Sequence, residues 1–446
     1  MINFININDM SVVRTGKQKK KVLFKIKGDK VQNKNEIRMP LNISLSIDVS
    51  GSMNDSIGVA QADQSGQGYF NNAAQFLNGL RREVPVFGNF KTKITQVKDA
   101  AIKCVDLLED GDFISIVTFA NTARVIQEAI QINGKNREQI KSKIKSINAN
   151  GGTNLHEGWL QSGMEVAKNL SAKNINRILV LTDGETNQGI VDSKEISASV
   201  EGLAKRGIST STFGVGDHYN EDLLEKMATV SGGNSYYIED ESKVQSILME
   251  EFNCLNNIVA DNATLEFIPS NSEFTVTCLN ELDYVNKKYM IGNLIGGREV
   301  TALFEYEFNN SVNVGEKFNL GEMKLSFTNK SGKQESNVIE LSFVVVTEET
   351  FSQEKISEEV NIQSTILDIA KQQKLAKEEM KLGNRDTAYD ILNKSIAGAQ
   401  LYSADARVMG EINQLNTFMA DSQNYSDVKM SKMLSSMSYS TRNSRK

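Results

Sequence analysis

The stretch "LSIDVSGSM" ends an alternating apolar strand in one carboxylate and two hydroxyls, Asp48, Ser50 and Ser52, spaced by two residues around Gly51. A strand edge needs no such cluster for packing. Further along, "RILVLTDGE" ends another apolar strand in Asp183, and "NANGGTNLHEG" places Thr153 behind two glycines at the entry to a helix. Every one of these side chains is an oxygen donor, the ligand type that suits Mg²⁺, Mn²⁺ or Ca²⁺. Taken singly they are ordinary: Ser50, Ser52 and Thr153 have the chemistry of helix caps and Asp183 that of a turn residue. What points to an ion is that all five fall where strands end.

The elements that must bring them together alternate between two periods. From Leu41 to about residue 256, short apolar strands ("NISLSID", "DFISIVTFA", "RILVLTD", "ISTSTFGVG", "SYYI") alternate with helical patterns ("KITQVKDAAIKCVDLL", "NREQIKSKIKSI", "LHEGWLQSGMEVAKNL", "SKEISASVEGLAKR", "NEDLLEKMATVS"). That alternation predicts an α/β, doubly wound parallel sheet. "ARVIQEA" follows its predecessor through a tight turn and is expected as an antiparallel edge. In a doubly wound sheet ligands sit beyond the C-terminal ends of the strands, where Asp48 and Asp183 stand.

With that context, "DVSGS", "GGTNL" and "LTDGE" resemble, in order and position, the metal-ion-dependent adhesion site of von Willebrand factor type A domains. The similarity runs over residues 41–256. It is nearest the bacterial and intracellular branch, which also resembles inter-alpha-trypsin inhibitor heavy chains and plant RING-type ubiquitin ligases. The resemblance implies a Rossmann-like domain in which Ser50 and Ser52 hold an ion, Thr153 joins them in the ligand-competent state, and Asp48 and Asp183 act directly or through water. Mg²⁺ is the expected ion, with Mn²⁺ or Ca²⁺ as alternatives. Neutral hydroxyls leave such an ion under-neutralised, so an Asp or Glu of a protein partner can complete its octahedron. Gly51 and Gly151 or Gly152 would let the backbone turn around it. No Cys/His cluster accompanies the motif, so ligase activity does not carry over.

Enzymatic readings fit less well. A haloacid-dehalogenase phosphatase needs an acid–base Asp where Ser50 stands. A serine hydrolase wants a Gly-x-Ser-x-Gly frame and a histidine base, and the only histidines, His156 and His218, read as a helix-entry residue and a loop residue. "GVGDHY" lacks the third glycine of a dinucleotide loop. The expectation is a protein without its own catalysis. Two alternatives to the ion-bridged module are a scaffold recruiting partners through C-terminal helices, with a purely structural ion, and an accessory to a separate MoxR-type AAA ATPase.

Composition bounds the rest. A net charge of −6 argues against a nucleic-acid binder. Three widely spaced cysteines, Cys104, Cys254 and Cys278, read as free thiols in a reducing compartment. No signal-peptide core and no long apolar run is visible, so a cytoplasmic protein without a membrane span is expected. Richness in Lys, Asn and Ile points to an AT-rich, bacterial genome. Residues 54–92 read as an insertion beside the ion site, expected to gate or supplement its binding face. After residue 256 the period becomes two, predicting an antiparallel β-sandwich-like domain over 257–348, which the N-terminal segment 1–40 joins through "KVLFKIKG". The basic cluster there reads as a solvated strand face. Residues 349–422 are expected as a helical hairpin, and the Ser- and Met-rich 423–446 as a mobile tail, in which Met430, Met433, Leu434 and Met437 have the spacing of a short partner-binding helix.

Overall fold

The computed structural model describes residues 1–30, 38–55, 92–270 and 274–443. In chain order its strands are β1 (Ile2–Asn8), β2 (Val12–Arg14), β3 (Gly16–Gly28), β4 (Leu41–Asp48), β5 (Phe113–Phe119), β6 (Ala123–Gln131), β7 (Ile175–Thr182), β8 (Ser209–Val215) and β9 (Ser235–Ile238). They continue with β10 (Ile258–Pro269), β11 (Thr275–Cys278), β12 (Tyr284–Val285), β13 (Lys288–Ile295), β14 (Glu299–Asn310), β15 (Lys317–Asn329) and β16 (Gln334–Val346). The helices are α1 (Lys93–Leu107), α2 (Arg137–Lys145), α3 (Leu155–Ala167), α4 (Ser193–Ala204), α5 (Glu221–Ser231), α6 (Val244–Asn256), α7 (Glu348–Gln353), α8 (Glu358–Lys381), α9 (Arg385–Ala399), α10 (Ala406–Asp421) and α11 (Asp427–Arg442).

One six-stranded sheet has the order β6-β5-β4-β7-β8-β9, with all pairs parallel except β5–β6. Its central strands are buried along their whole length, and their apolar residues alternate with small Ser and Thr and with the buried polar side chains Asn42, Asp48, Asn176 and Arg177. One face packs on α1, α2 and α6 through Val97, Cys104, Ile144 and Phe252. The other packs on α3, α4 and α5 through Trp159, Ile196 and Met227. Strand order reverses between β4 and β7, so the topological switch point, where such sheets bind ligands, lies at Asp48 and just past Thr182.

Two further sheets, β1-β3-β14-β11 and β12-β13-β10-β15-β16-β2, face each other over Phe24, Phe304, Tyr306, Met323, Leu325 and Phe343. The N-terminal strands are integral to them: β3 pairs with β14 from Lys27↔Glu299 to Gly16↔Asn310. Alternation explains the basic cluster except for Lys20, which is buried on the core side and pairs with Asp9 at 3.3 Å. Val22, Phe24 and Ile26 point into the core, while outward lysines meet cross-strand acids, Lys19–Glu305 at 2.7 Å and Lys17–Glu307 at 2.8 Å. One pair departs from the antiparallel expectation, since β2 runs parallel to β16.

The C-terminal region corrects two expectations. The α8–α9 pair, turned at Gly383 with φ +78°, is not an isolated hairpin, because α10 and α11 complete a cluster around Ile366, Met380, Leu392, Ile412, Leu415 and Leu434. Nor are residues 427–442 a mobile tail. They form α11, whose Met430, Leu434 and Met437 pack in that cluster while Ser431, Ser435 and Ser438, small enough for close approach, are also buried. Lys432, 3% exposed, reaches the α/β unit, donating to the Tyr219 carbonyl at 2.5 Å and pairing with Glu221 at 2.9 Å.

The α/β unit and the sandwich share a buried polar network. Arg177 on β7, wholly unexposed, donates to Ser211 at 3.0 Å, and Ser211 in turn donates to Glu251 at 2.6 Å. Asn234 and Tyr236 also donate to Glu251, at 2.5 and 2.7 Å. From the sandwich, the Asn293 amide bridges Arg177 to Asp261, whose carboxyl is pushed up by burial. Breaking a buried ion network leaves uncompensated charge. Arg177→Met is therefore expected to destabilise the fold by about 3–5 kcal/mol in urea unfolding, and a loss below about 1 kcal/mol would refute this account of the junction.

Candidate functional site

The site begins with register. Because β4 and β7 pair Ile47 with Leu181, Asp48 ends one strand beside Thr182 at the end of the next. The Thr182 hydroxyl donates to Asp48 Oδ2 at 2.5 Å, and the Ser50 N–H donates to Asp48 Oδ1 at 2.8 Å. Asp48 is completely unexposed. Burial pushes its carboxyl up to about 6, against the opposing pull of the hydrogen bonds from Thr182 and Ser50, with the Asp183 charge a smaller push in the same direction as burial.

After Asp48 the chain enters a single 3₁₀ turn, Gly51–Asn54, which brings the two serines onto one side. Ser50 Oγ and Ser52 Oγ lie 3.1 Å apart, and Ser52 donates to Asp183 Oδ1 at 2.7 Å. The second oxygen of Asp183 accepts from Lys93 Nζ at 2.8 Å. Asp183 is unexposed, Ser50 2% exposed and Thr153 3% exposed.

Thr153 arrives on a loop held by backbone. Gly51 N–H donates to the Gly151 carbonyl at 2.9 Å, and Asn150 N–H to the Val49 carbonyl at 2.7 Å. Gly151 has φ +99°, a left-handed value that favours glycine. Gly152 has no space for a side chain, since a Cβ there would stand 2.9 Å from Asn187 Oδ1 and 3.0 Å from Asn121 Oδ1. Those two amides fix the loop: Asn121 accepts from Gly152 N–H at 2.7 Å and Asn187 from Thr153 N–H at 2.9 Å. The Thr153 and Ser52 hydroxyls both flank Gly184, at 3.4 and 3.8 Å from where its Cβ would be.

All five residues singled out in the sequence thus meet at one edge of one sheet. Pattern reading missed Lys93, Thr182, Asn121 and Asn187. Thr182 had a visible signal, standing next to Asp183 in "LTD"; the other three are joined to the site only by tertiary folding. His156 packs its ring on Trp159 and shares a 3.3 Å hydrogen bond with Ser199, and His218 is exposed. Neither serine is therefore furnished with an imidazole base. Among the described residues no three His, Cys, Asp or Glu side chains cluster as metal ligands, so an ion here depends on hydroxyls. The spacing fits that role: neighbouring vertices of a Mg²⁺ octahedron with ligands at about 2.0–2.1 Å lie about 2.9 Å apart, between the two oxygen separations seen here. Residues 56–91, most of the segment expected beside the site, lie outside the described residues.

Residues 87–250 match the family model of the von Willebrand factor type A domain. This chain carries a von Willebrand factor type A domain. The matched span starts behind β4, yet β4 is the middle of the same sheet. The uncharacterized protein YfbK of Escherichia coli is 31% identical over 241 residues, covering 51% of this chain and 40% of that protein. The uncharacterized protein sll0103 of Synechocystis is 27% identical over 66% of this chain and 72% of its own length. Inter-alpha-trypsin inhibitor heavy chain H4 of Bos taurus is 27% identical over 42% of this chain, which is 21% of that protein. The chain therefore corresponds to well under half of YfbK and of that heavy chain. Among solved structures, a von Willebrand factor type A protein from Catenulispora acidiphila superposes with TM-score 0.67 at 16% identity, covering 93% of this chain and 88% of its own. The ArnB paralog VWA2 from Sulfolobus acidocaldarius gives 0.62 at 15% identity, covering 98% of both. These two show that the fold of nearly the whole chain, not only of the type A domain, recurs.

The buried carboxylate makes a pH prediction for protein freed of divalent ions. Folded Asp48 holds its proton more tightly than the unfolded chain does, so its contribution favours folding below pH 3.8 and is lost as pH rises to about 6. Asp48→Asn should flatten this slope, raising stability at pH 8 by on the order of 2–3 kcal/mol while changing little at pH 4. Equal effects at both pH values in denaturation experiments with chelator would contradict this.

Proposed function

We propose that this protein is a metal-ion-dependent protein-interaction module that acts without catalysis. Ser50, Ser52 and Thr153 would hold a divalent ion, Mg²⁺ in the first instance, with Asp48 and Asp183 holding it directly or through water. The ion would supply a positive, coordinatively open point that an Asp or Glu side chain of a protein partner can fill. The observation that carries this reading is the meeting of three hydroxyls and two buried carboxylates at the switch point of the sheet, with no imidazole base beside them.

The chain's own residues have separable tasks. Thr182 and the Ser50 N–H orient Asp48 and partly offset the cost of burying it. Asn121 and Asn187 hold the backbone of the Thr153 loop, which limits the ordering needed when its hydroxyl joins the ion. A purely scaffolding role for the C-terminal helices draws less support, because the methionine face of α11, expected to be free for a partner, is buried within the chain itself.

The test is partner capture with and without chelator, on the wild type and on Ser52→Ala and Thr153→Ala, with bound proteins identified by mass spectrometry. A partner retained in Mg²⁺, lost with chelator and lost in both variants is expected, the loss exceeding tenfold. Equal capture by chelated wild type and by both folded variants would sink the ion-bridge reading.

A further inference from the structure

The side chain paired with Asp183 is not accounted for by the ion site as described. Lys93 is the first residue of α1, behind the N-cap Thr92, and its N–H donates to the Asp55 carbonyl at 3.3 Å. Its neighbours Ile94 and Val97 are buried in the sheet core, so the helix delivers the lysine at a fixed position. The residue is 7% exposed, and its ammonium contacts Asp183 Oδ2 at 2.8 Å while Ser52 occupies Oδ1. This is not a surface lysine that happens to lie near an acid. It is a buried cation placed on a residue read as an ion ligand.

We propose that Lys93 is a tethered counter-ion that competes with the divalent ion for Asp183 and so sets the ion concentration at which the site fills. The inference rests on reading these residues as an ion site. Two buried carboxylates and one ammonium leave the site with one net negative charge. Adding a dication makes it net positive by one, whereas without Lys93 the same dication would leave it neutral. In a weakly screened interior that extra positive charge opposes the ion. Lys93 thus lowers affinity for the ion, and once the ion is bound it strengthens the positive field offered to an acidic partner. Before the ion arrives, it spares Asp183 the cost of an unpaired buried charge.

The experiment is calorimetric titration of Mn²⁺ and Mg²⁺ into chelator-stripped full-length wild type, Lys93→Met and Lys93→Arg, with melting curves of each form in parallel. Lys93→Met keeps the length and removes the charge; it is expected to melt lower than wild type without ion, to bind Mn²⁺ at least tenfold more tightly, and to gain more from it in melting temperature. Lys93→Arg, which keeps the charge, should stay within about threefold of wild type. Binding by Lys93→Met but not by wild type would support the proposal equally. Unchanged or weaker binding in Lys93→Met, with wild type binding normally, would overturn the role of Lys93 and leave the ion site standing. Absence of binding in all three would overturn both.

Discussion

Two carboxylates with no exposure to solvent, Asp48 and Asp183, stand at the ends of adjacent parallel strands, and the surrounding structure is arranged to tolerate them. Burying a charge costs several kcal/mol unless hydrogen bonds or counter-charges compensate. Asp48 has a threonine hydroxyl and a backbone N–H; Asp183 has a serine hydroxyl and an ammonium. The compensation is incomplete at Asp48, whose carboxyl is displaced toward neutrality. A site left short of positive charge in this way has something to gain from a cation, which is the physical content of reading it as an ion centre.

The arrangement needs a rigid mount. β4 and β7 lie at the middle of a sheet covered by three helices on each face, and the hydrogen bonds between them fix the separation of the two acids. The far side of the sheet is tied to the sandwich through Arg177, Glu251 and Asp261, and its β9 edge to the helical cluster through Tyr439, whose hydroxyl accepts from Ser235 N–H at 3.2 Å. Helix α8 is anchored to β3 by Lys25–Glu359 at 2.6 Å, with Arg407 and Lys25 holding the Glu359 carboxyl down at about 2. The sandwich and helices thus extend and brace the type A domain instead of hanging from it by linkers.

How much of this was legible in the sequence follows from what each signal encodes. Buried parallel strands are rich in apolar residues, so "LSID" and "LVLTD" announced both the strands and the acids that end them, and the doubly wound order then implied that the acids meet. Thr153 was legible because two glycines precede it, one with the positive φ that the loop requires. Lys93 was not, because a lysine opening an amphipathic helix ordinarily faces water; only the placement of α1 against β4 turns it inward. Asn121 and Asn187 looked like turn residues and are, but their amides also clamp the loop. The tail was misjudged for a related reason. Serines at 431, 435 and 438 lower apparent hydrophobicity while serving as small contacts in close helix packing, so low mean hydropathy there signified proximity and not disorder.

The most direct test of the central claim is an anomalous difference map from crystals of the full-length chain grown with Mn²⁺. The account predicts a strong peak within coordination distance of the Ser50 and Ser52 hydroxyls, beside Asp183 and Thr153. No peak there at saturating Mn²⁺, or a peak only at some other cluster of acids, would contradict it.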